Sequence, residues 1–272
     1  MQINGKTRLT HVFLTLLAIT MIYPFFWVII SSLKTTDEIF TSAFSLPTSL
    51  RFNNYYNAWI KASIGTCFRN SVIVSVIALA LTLLFASMAA YVLARKWKNR
   101  LLFTYFTLGI MVPLQAIVIP SFIIIRNLGL INTRAGLILI YAVSGISFGI
   151  FVLTGFFKTI PVEMEEAAVI DGCGSGTTFF RIILPMAKPA LATVGILSFL
   201  QYWNEYLFAS VLIAKAEYKT LTQGIMALRG PYTTDYGMLT AGLALAIVPL
   251  MVAYVILQKQ VIEGMTAGAV KG

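Results

Sequence analysis

Acidic residues, histidine and cysteine are all scarce in this chain. Of 272 residues, ten are Asp or Glu, one is His and two are Cys. The lone His11 opens an apolar run and has no neighbour in sequence for metal or acid–base work, so it reads as interfacial packing. With no nucleophile, base or metal-ligand cluster, enzyme chemistry is excluded, and no catalytic residue, metal or cofactor is expected. Two cysteines make no disulfide framework. A phosphate loop of the form G-x-x-x-x-G-K-[ST] is also missing, and the tail from Gly264 to Gly272 has glycines and a lysine in the wrong spacing. The chain therefore carries no ATP-hydrolysing motor of its own.

What it has in abundance is apolar surface: 58% of residues are hydrophobic, 11% are charged, and the mean hydropathy is +0.85. Those values lie outside the range of a soluble domain. A spanning helix needs about 20 mostly apolar residues to cover a hydrocarbon core of about 30 Å. Six runs qualify, at about 9–33, 70–94, 101–125, 136–157, 190–214 and 238–258. They lack the alternation of outer-membrane strands and are about twice too long for them. The expected fold is thus an all-α membrane protein with six transmembrane helices in one domain covering 1–272. The first run follows Lys6 and Arg8 but is too long for a signal peptide, and no A-x-A site closes it, so it is expected to remain as an anchor.

A net charge of +10 does not call for nucleic acid, because the basic residues gather at helix ends, where they orient a protein in lipid. The densest cluster, Arg95, Lys96, Lys98 and Arg100, joins the second and third runs and is expected in the cytosol. Six spans then place both termini and the 158–189 loop inside. The same topology puts Cys67 near the outer face and Cys173 in the cytosol, so these two cannot pair.

Small residues at Gly145-xxx-Gly149 and Gly242-xxx-Ala246 favour close helix packing. Pro113 and Pro120 in the third run and Pro249 in the sixth predict kinks.

The 158–189 loop is the chain's most unusual segment. Pro161 suits the first turn of a helix, Glu163, Glu165 and Glu166 complement its dipole, and Gly172 suits its stop. Ser175, Thr177 and Thr178 offer capping oxygens for a second short helix running to Leu184-Pro185. Met164, Ala167, Ala168, Ile170, Phe179 and Phe180 would then lie on the water side. Such a surface calls for a protein partner: Ala167 and Ala168 let a groove approach the backbone, and Glu165 and Glu166 meet basic residues. Lying on lipid is the alternative, but four acidic residues, at 163, 165, 166 and 171, oppose contact with an anionic leaflet.

Glu166-Ala167-Ala168, then Gly172, Ile182 and Leu184-Pro185, resembles the EAA loop of ABC importer permeases, with every signature position filled. Further matches are Tyr23-Pro24-Phe25-Phe26-Trp27, Ser31-Ser32-Leu33-Lys34, Asn70-Ser71, Trp203-Asn204-Glu205 and the tail from Gly264. Together they resemble the carbohydrate-uptake permeases, specifically the maltose-type second permease subunit. Thr222 departs from the family's usual proline and Met265 from its usual leucine. The resemblance implies a type I importer fold in a bacterial or archaeal cell membrane, with ATPase coupling through Glu165, Glu166, Ala167, Ala168, Asp171, Gly172, Ile182, Leu184 and Pro185. It also implies three kinds of partner: a second homologous permease, two copies of an ATPase subunit, and an extracytoplasmic sugar-binding protein. Closure of the ATPase dimer would reach the spans as rigid-body motion.

Glu205 is the only acidic residue inside an apolar run, where an ionised group costs about 2.5–3.5 kcal/mol at mid-bilayer. Tyr202, Trp203, Asn204 and Glu205, with Tyr206, suit a sugar, since rings stack on its apolar faces and amide and carboxylate bond its hydroxyls. Interhelical hydrogen bonding with an interfacial aromatic belt explains the same residues. Gln115, between Pro113 and Pro120, is a further pathway candidate. The outer loop 215–235, with Arg229, Tyr232 and Tyr236, is a candidate contact for the binding protein.

The reading is an importer subunit for a di- or oligosaccharide. A polyol or sugar phosphate is an alternative cargo. An ion-coupled secondary transporter is the alternative of another class, resting on Glu205 alone and leaving the EAA-like loop unexplained.

Overall fold

The computed structural model describes residues 5–97 and 99–251. Lys98, the end of the sixth run and the tail at 264–272 lie outside the described residues. Among the described residues every regular element is helical. In chain order the helices are α1 (Gly5–Ser31), α2 (Thr36–Thr41), α3 (Asn53–Lys61), α4 (Ile64–Tyr91), α5 (Arg100–Leu108), α6 (Val118–Asn127) and α7 (Arg134–Phe157). Next come α8 (Glu163–Ile170), α9 (Ser175–Thr178), α10 (Leu184–Met186), α11 (Lys188–Asn204), α12 (Leu207–Leu212), α13 (Leu221–Met226) and α14 (Tyr236–Met251). π-helical turns extend α4 through Val92–Lys96 and link α9 to α10 through Phe179–Ile183.

Three described helices are long and apolar enough to cross a membrane, and five spans result if each bent pair counts as one. The third run is not one kinked helix. It breaks at Val112-Pro113 into pieces lying at 94° to each other, while Pro120 sits in the first turn of α6, where its missing N–H is unneeded. The fifth run also breaks, at Glu205, between α11 and α12. Pro249 falls in the last described turn of α14.

The chain divides into two compact units. One comprises, of the described residues, 5–65 and 224–251. Its α1 exposes apolar side chains from Val12 to Ile29, Phe13 and Met21 among them, as a lipid-facing helix does. Trp27 Nε1 donates to the carbonyl of Ala43 at 2.9 Å. Lys34 is fully buried, its ammonium donating to the Ser42 carbonyl at 2.9 Å, where α2 ends. A cation there complements the helix dipole. At the other end of α2, Thr35 and Glu38 form a reciprocal capping box. The Tyr23–Lys34 sequence match therefore builds a fastening for α2.

The other unit comprises, of the described residues, 66–223. Within it α7 packs on α4 and α11: a Cβ on Gly145 would lie 1.9 Å from the Tyr202 hydroxyl, and one on Gly149 2.6 Å from the Ala86 methyl. The expected small-residue packing is therefore present. Asn70-Ser71 acts as a tie. Asn70 Nδ2 donates to the carbonyls of Glu217 and Lys219, both at 2.9 Å, and Ser71 Oγ accepts from Leu221 N. Two apolar cores run through this unit, one around Phe157, Ile183 and Val194, the other around Ile125, Leu137 and Leu212.

Candidate functional sites: the 158–189 loop and a polar cleft

α8 begins two residues after Pro161, so this proline precedes the helix and is not in its first turn. Glu163, Glu165 and Glu166 occupy the first turn, as the helix dipole favours. Its end is a Schellman motif: Gly172 takes φ +78°, its N–H donates to Val169, and the Cys173 N–H donates to Ala168. Gly172 is thus required where the sequence placed it, with Asp171 as the exposed C-cap. The second helix starts differently from expectation. No side chain caps α9, and Thr178 instead donates back to the Gly174 carbonyl. Gly174 holds the N-cap position.

Burial sorts the loop into two faces. Glu166, Ala167 and Ile170 are exposed, Ile170 at 85%, along with Met164 and Phe180. Ala168 and Phe179, expected on the water side, are buried, because α8 and the following π turn fold back on the end of α4. Ile182 and Leu184 are half-buried and Pro185 is exposed. Glu165 is turned inward as well: its Oε1 lies 3.0 Å from Arg95 Nε, and its Oε2 accepts from the Tyr91 hydroxyl at 2.9 Å. Arg95 and Tyr91 were not legible as parts of this site, although the Arg95–Arg100 basic cluster marked the location.

The second site lies where the two broken runs meet. Glu205 ends α11 in extended conformation, and its carboxylate accepts from Phe208 N at 2.7 Å and Ala209 N at 3.1 Å, capping α12. Tyr141 of α7 donates to Glu205 Oε2 at 2.7 Å, and Thr222 donates to the Glu205 carbonyl at 2.8 Å. The departure from proline at 222 therefore supplies a donor to the break. A mid-run acid is tolerable here because charge, dipole and donors offset its desolvation.

Gln115, Asn204 and Glu205 line one open cleft of about 520 Å³ together with Gln201 and Tyr206. Gln201 precedes Glu205 by one helical turn and could have been found from that spacing. The side chains of Gln115 and Gln201 take no hydrogen-bond partner among the described residues. Tyr202 and Trp203 lie apart from the cleft. Both are buried, Tyr202 stacked on Tyr141 and hydrogen-bonded to Thr82, Trp203 against Phe68 and Phe199. Tyr206, 41% exposed, is the ring the cleft offers. Amides beside a half-exposed ring form a surface matched to a hydroxyl-rich ligand.

A family model described as "Binding-protein-dependent transport system inner membrane component" matches residues 82–266. Among curated proteins, the chain is 42% identical to a diacetylchitobiose uptake system permease protein of Streptomyces coelicolor, over 96% of this chain and 87% of that protein. It is 34% identical to a probable starch degradation products transport system permease protein of Thermoanaerobacterium thermosulfurigenes, over 98% and 99%. A melibiose/raffinose/stachyose import permease protein of Bacillus subtilis is 32% identical, over 97% of each. A crystal structure of a bacterial ABC transporter that imports the acidic polysaccharide alginate contains a chain with the same fold. It superposes with a TM-score of 0.82 over 95% of this chain and 99% of that one, at 23% identity.

Proposed function

This chain belongs to the family of binding-protein-dependent transport system inner membrane components, and on that premise we propose that it is the permease subunit of an ATP-driven importer for a di- or oligosaccharide. The observation that carries the proposal is α8 with its Schellman stop, which presents Glu166, Ala167 and Ile170 outward with the EAA spacing intact. An exposed helix of this kind seats in a groove of another protein. In this reading α8 is the coupling helix. An ATPase subunit, present in two copies, accepts it, and Asp171, Gly172, Ile182, Leu184 and Pro185 hold its shape. ATP is hydrolysed there and not in this chain.

The remaining partners are a second homologous permease, with which this chain shares the pathway, and an extracytoplasmic sugar-binding protein that meets the outer loop at Arg229 and Tyr232. The chain crosses the cell membrane six times with both termini in the cytosol. Relatives named for diacetylchitobiose, starch products and melibiose support a saccharide cargo. Gln115, Gln201 and Asn204 supply amides for its hydroxyls, with Tyr206 as the stacking surface. Glu205, the residue on which an ion-coupled mechanism would rest, is occupied as a helix cap.

Uptake of labelled oligosaccharide into membrane vesicles tests the proposal. Transport is expected to require ATP and the binding protein and to need no ion gradient. Uptake that persists without ATP and follows an imposed gradient would overturn it.

A further inference from the structure

Arg95 lies outside the EAA-like loop, yet three contacts converge on the end of α4 that carries it. It lies in the π turn Val92–Lys96, and a π turn holds one extra residue and so re-aims the side chains around it. Arg95 Nε lies 3.0 Å from Glu165 Oε1. Its Nη2 donates to the carbonyl of Ile160, just beyond α7. One turn earlier, Tyr91 donates to the other Glu165 oxygen and sets its ring against Phe157 and Phe179, with centroids 6.1 and 5.0 Å away. The end of α4 therefore holds the loop at its entry, at its first helix and at its second.

The ion pair differs from a surface pair in its burial: the Arg95 and Glu165 side chains are 9% and 12% exposed. Exposed pairs contribute little because water competes for both partners. Here, loss of one partner leaves the other charge largely buried without its counter-ion. The helix α8 thus has one acidic face turned into the chain and another, at Glu166, turned out.

We propose that Arg95 and Glu165 form a charge latch that carries displacement of α8 into α4. Glu165 is then a positioning residue within the chain, and the outward-facing Glu166 is the one that meets the ATPase. The proposal rests on the reading of α8 as the coupling helix, and its test separates the two.

The assembled transporter, reconstituted with its binding protein, provides three readouts: ATPase co-purification, binding-protein stimulation of ATP turnover, and sugar taken up per ATP. Arg95→Glu and Glu165→Arg are each expected to keep co-purification while lowering uptake per ATP about tenfold. The double reversal is expected to restore uptake to within about threefold of the parent. Should a single reversal fail to assemble, Arg95→Gln, Glu165→Gln and Tyr91→Phe give the same comparison without introducing a like charge. Glu166→Lys is expected to weaken co-purification, and no change at position 95 should repair it. A double reversal no better than either single variant would overturn the latch, as would a Glu165→Gln variant that loses co-purification as Glu166→Lys does. Normal co-purification and stimulation in Glu166→Lys would instead overturn the docking reading, whatever the 95–165 pair does.

Discussion

The Tyr141 hydroxyl donates to the Glu205 carboxylate across 2.7 Å, joining α7 to the gap between α11 and α12. The same carboxylate caps α12 through two backbone N–H groups, so one side chain closes a break in a span and attaches it to the neighbouring helix. Tyr141→Phe removes one bond and should cost about 1 kcal/mol. Glu205→Gln removes the charge facing the N-terminus of α12 and should cost about 2 kcal/mol. Thermal unfolding in detergent measures both, and a double-mutant cycle should show the two effects to be non-additive.

The cleft beside that junction predicts a different pattern. Gln201→Ala and Gln115→Ala remove amides without partners among the described residues, so stability should hold. Each should raise the KM for uptake about fivefold, the equivalent of one hydrogen bond to substrate. Trp203→Phe, at a buried ring outside the cleft, should leave KM unchanged and lower the unfolding temperature. The opposite result, a KM effect at Trp203 and none at Gln201, would remove the cleft from the pathway.

Glycines 172 and 174 sit two residues apart and should respond differently to alanine. At Gly172, φ is +78°, a conformation that costs an L-residue about 1 kcal/mol. At Gly174, φ is −72° and a Cβ would meet open space. Gly172→Ala should therefore sensitise the loop to limited proteolysis and weaken ATPase co-purification, whereas Gly174→Ala should resemble the parent in both assays.

Glu38 makes a pH prediction. The Thr48 hydroxyl, first, and the Thr35 N–H, second, hold its carboxyl down to about 2 from the usual 4.5. Because the folded value lies below the unfolded one, the carboxylate stabilises the fold fully above about pH 4.5, and that contribution fades as pH falls toward 2. Glu38→Gln should lower stability above about pH 4.5, change little near pH 2, and so flatten the acid limb of a stability profile recorded in detergent.

Much of this was legible in the sequence because hydropathy, glycine and capping chemistry act locally. Three of the apolar runs lie on single helices long enough to span, and the stop at Gly172 followed from its missing Cβ. The breaks at Pro113 and Glu205 were less legible, since a hydropathy average passes over two or three residues of irregular backbone when the flanks stay apolar. The orientation of Glu165 was within reach: it lies three residues from Ala168, on one face of α8, while Glu166 and Ile170 share another. What decided which face turned inward was a partner seventy residues earlier in the chain, and no local pattern records that. Tyr202 and Trp203 stayed between two readings for the same reason. An aromatic pair in a span looks alike from sequence whether it faces a passage or a helix.

The π turn at Val92–Lys96 also has a bearing on how this segment can vary. An α-helix interrupted by one extra residue keeps two registers, offset by about 100°, on either side of the interruption. Deleting one residue there would barely shorten the helix, but it would swing everything beyond it around the axis and carry the guanidinium away from its carboxylate. Substitutions of similar bulk at Val92 or Leu93 leave that geometry alone. Through this stretch, selection should act on residue count more strictly than on residue identity, and a chimera joined within it should fail from a single-residue slip even when every side chain is familiar.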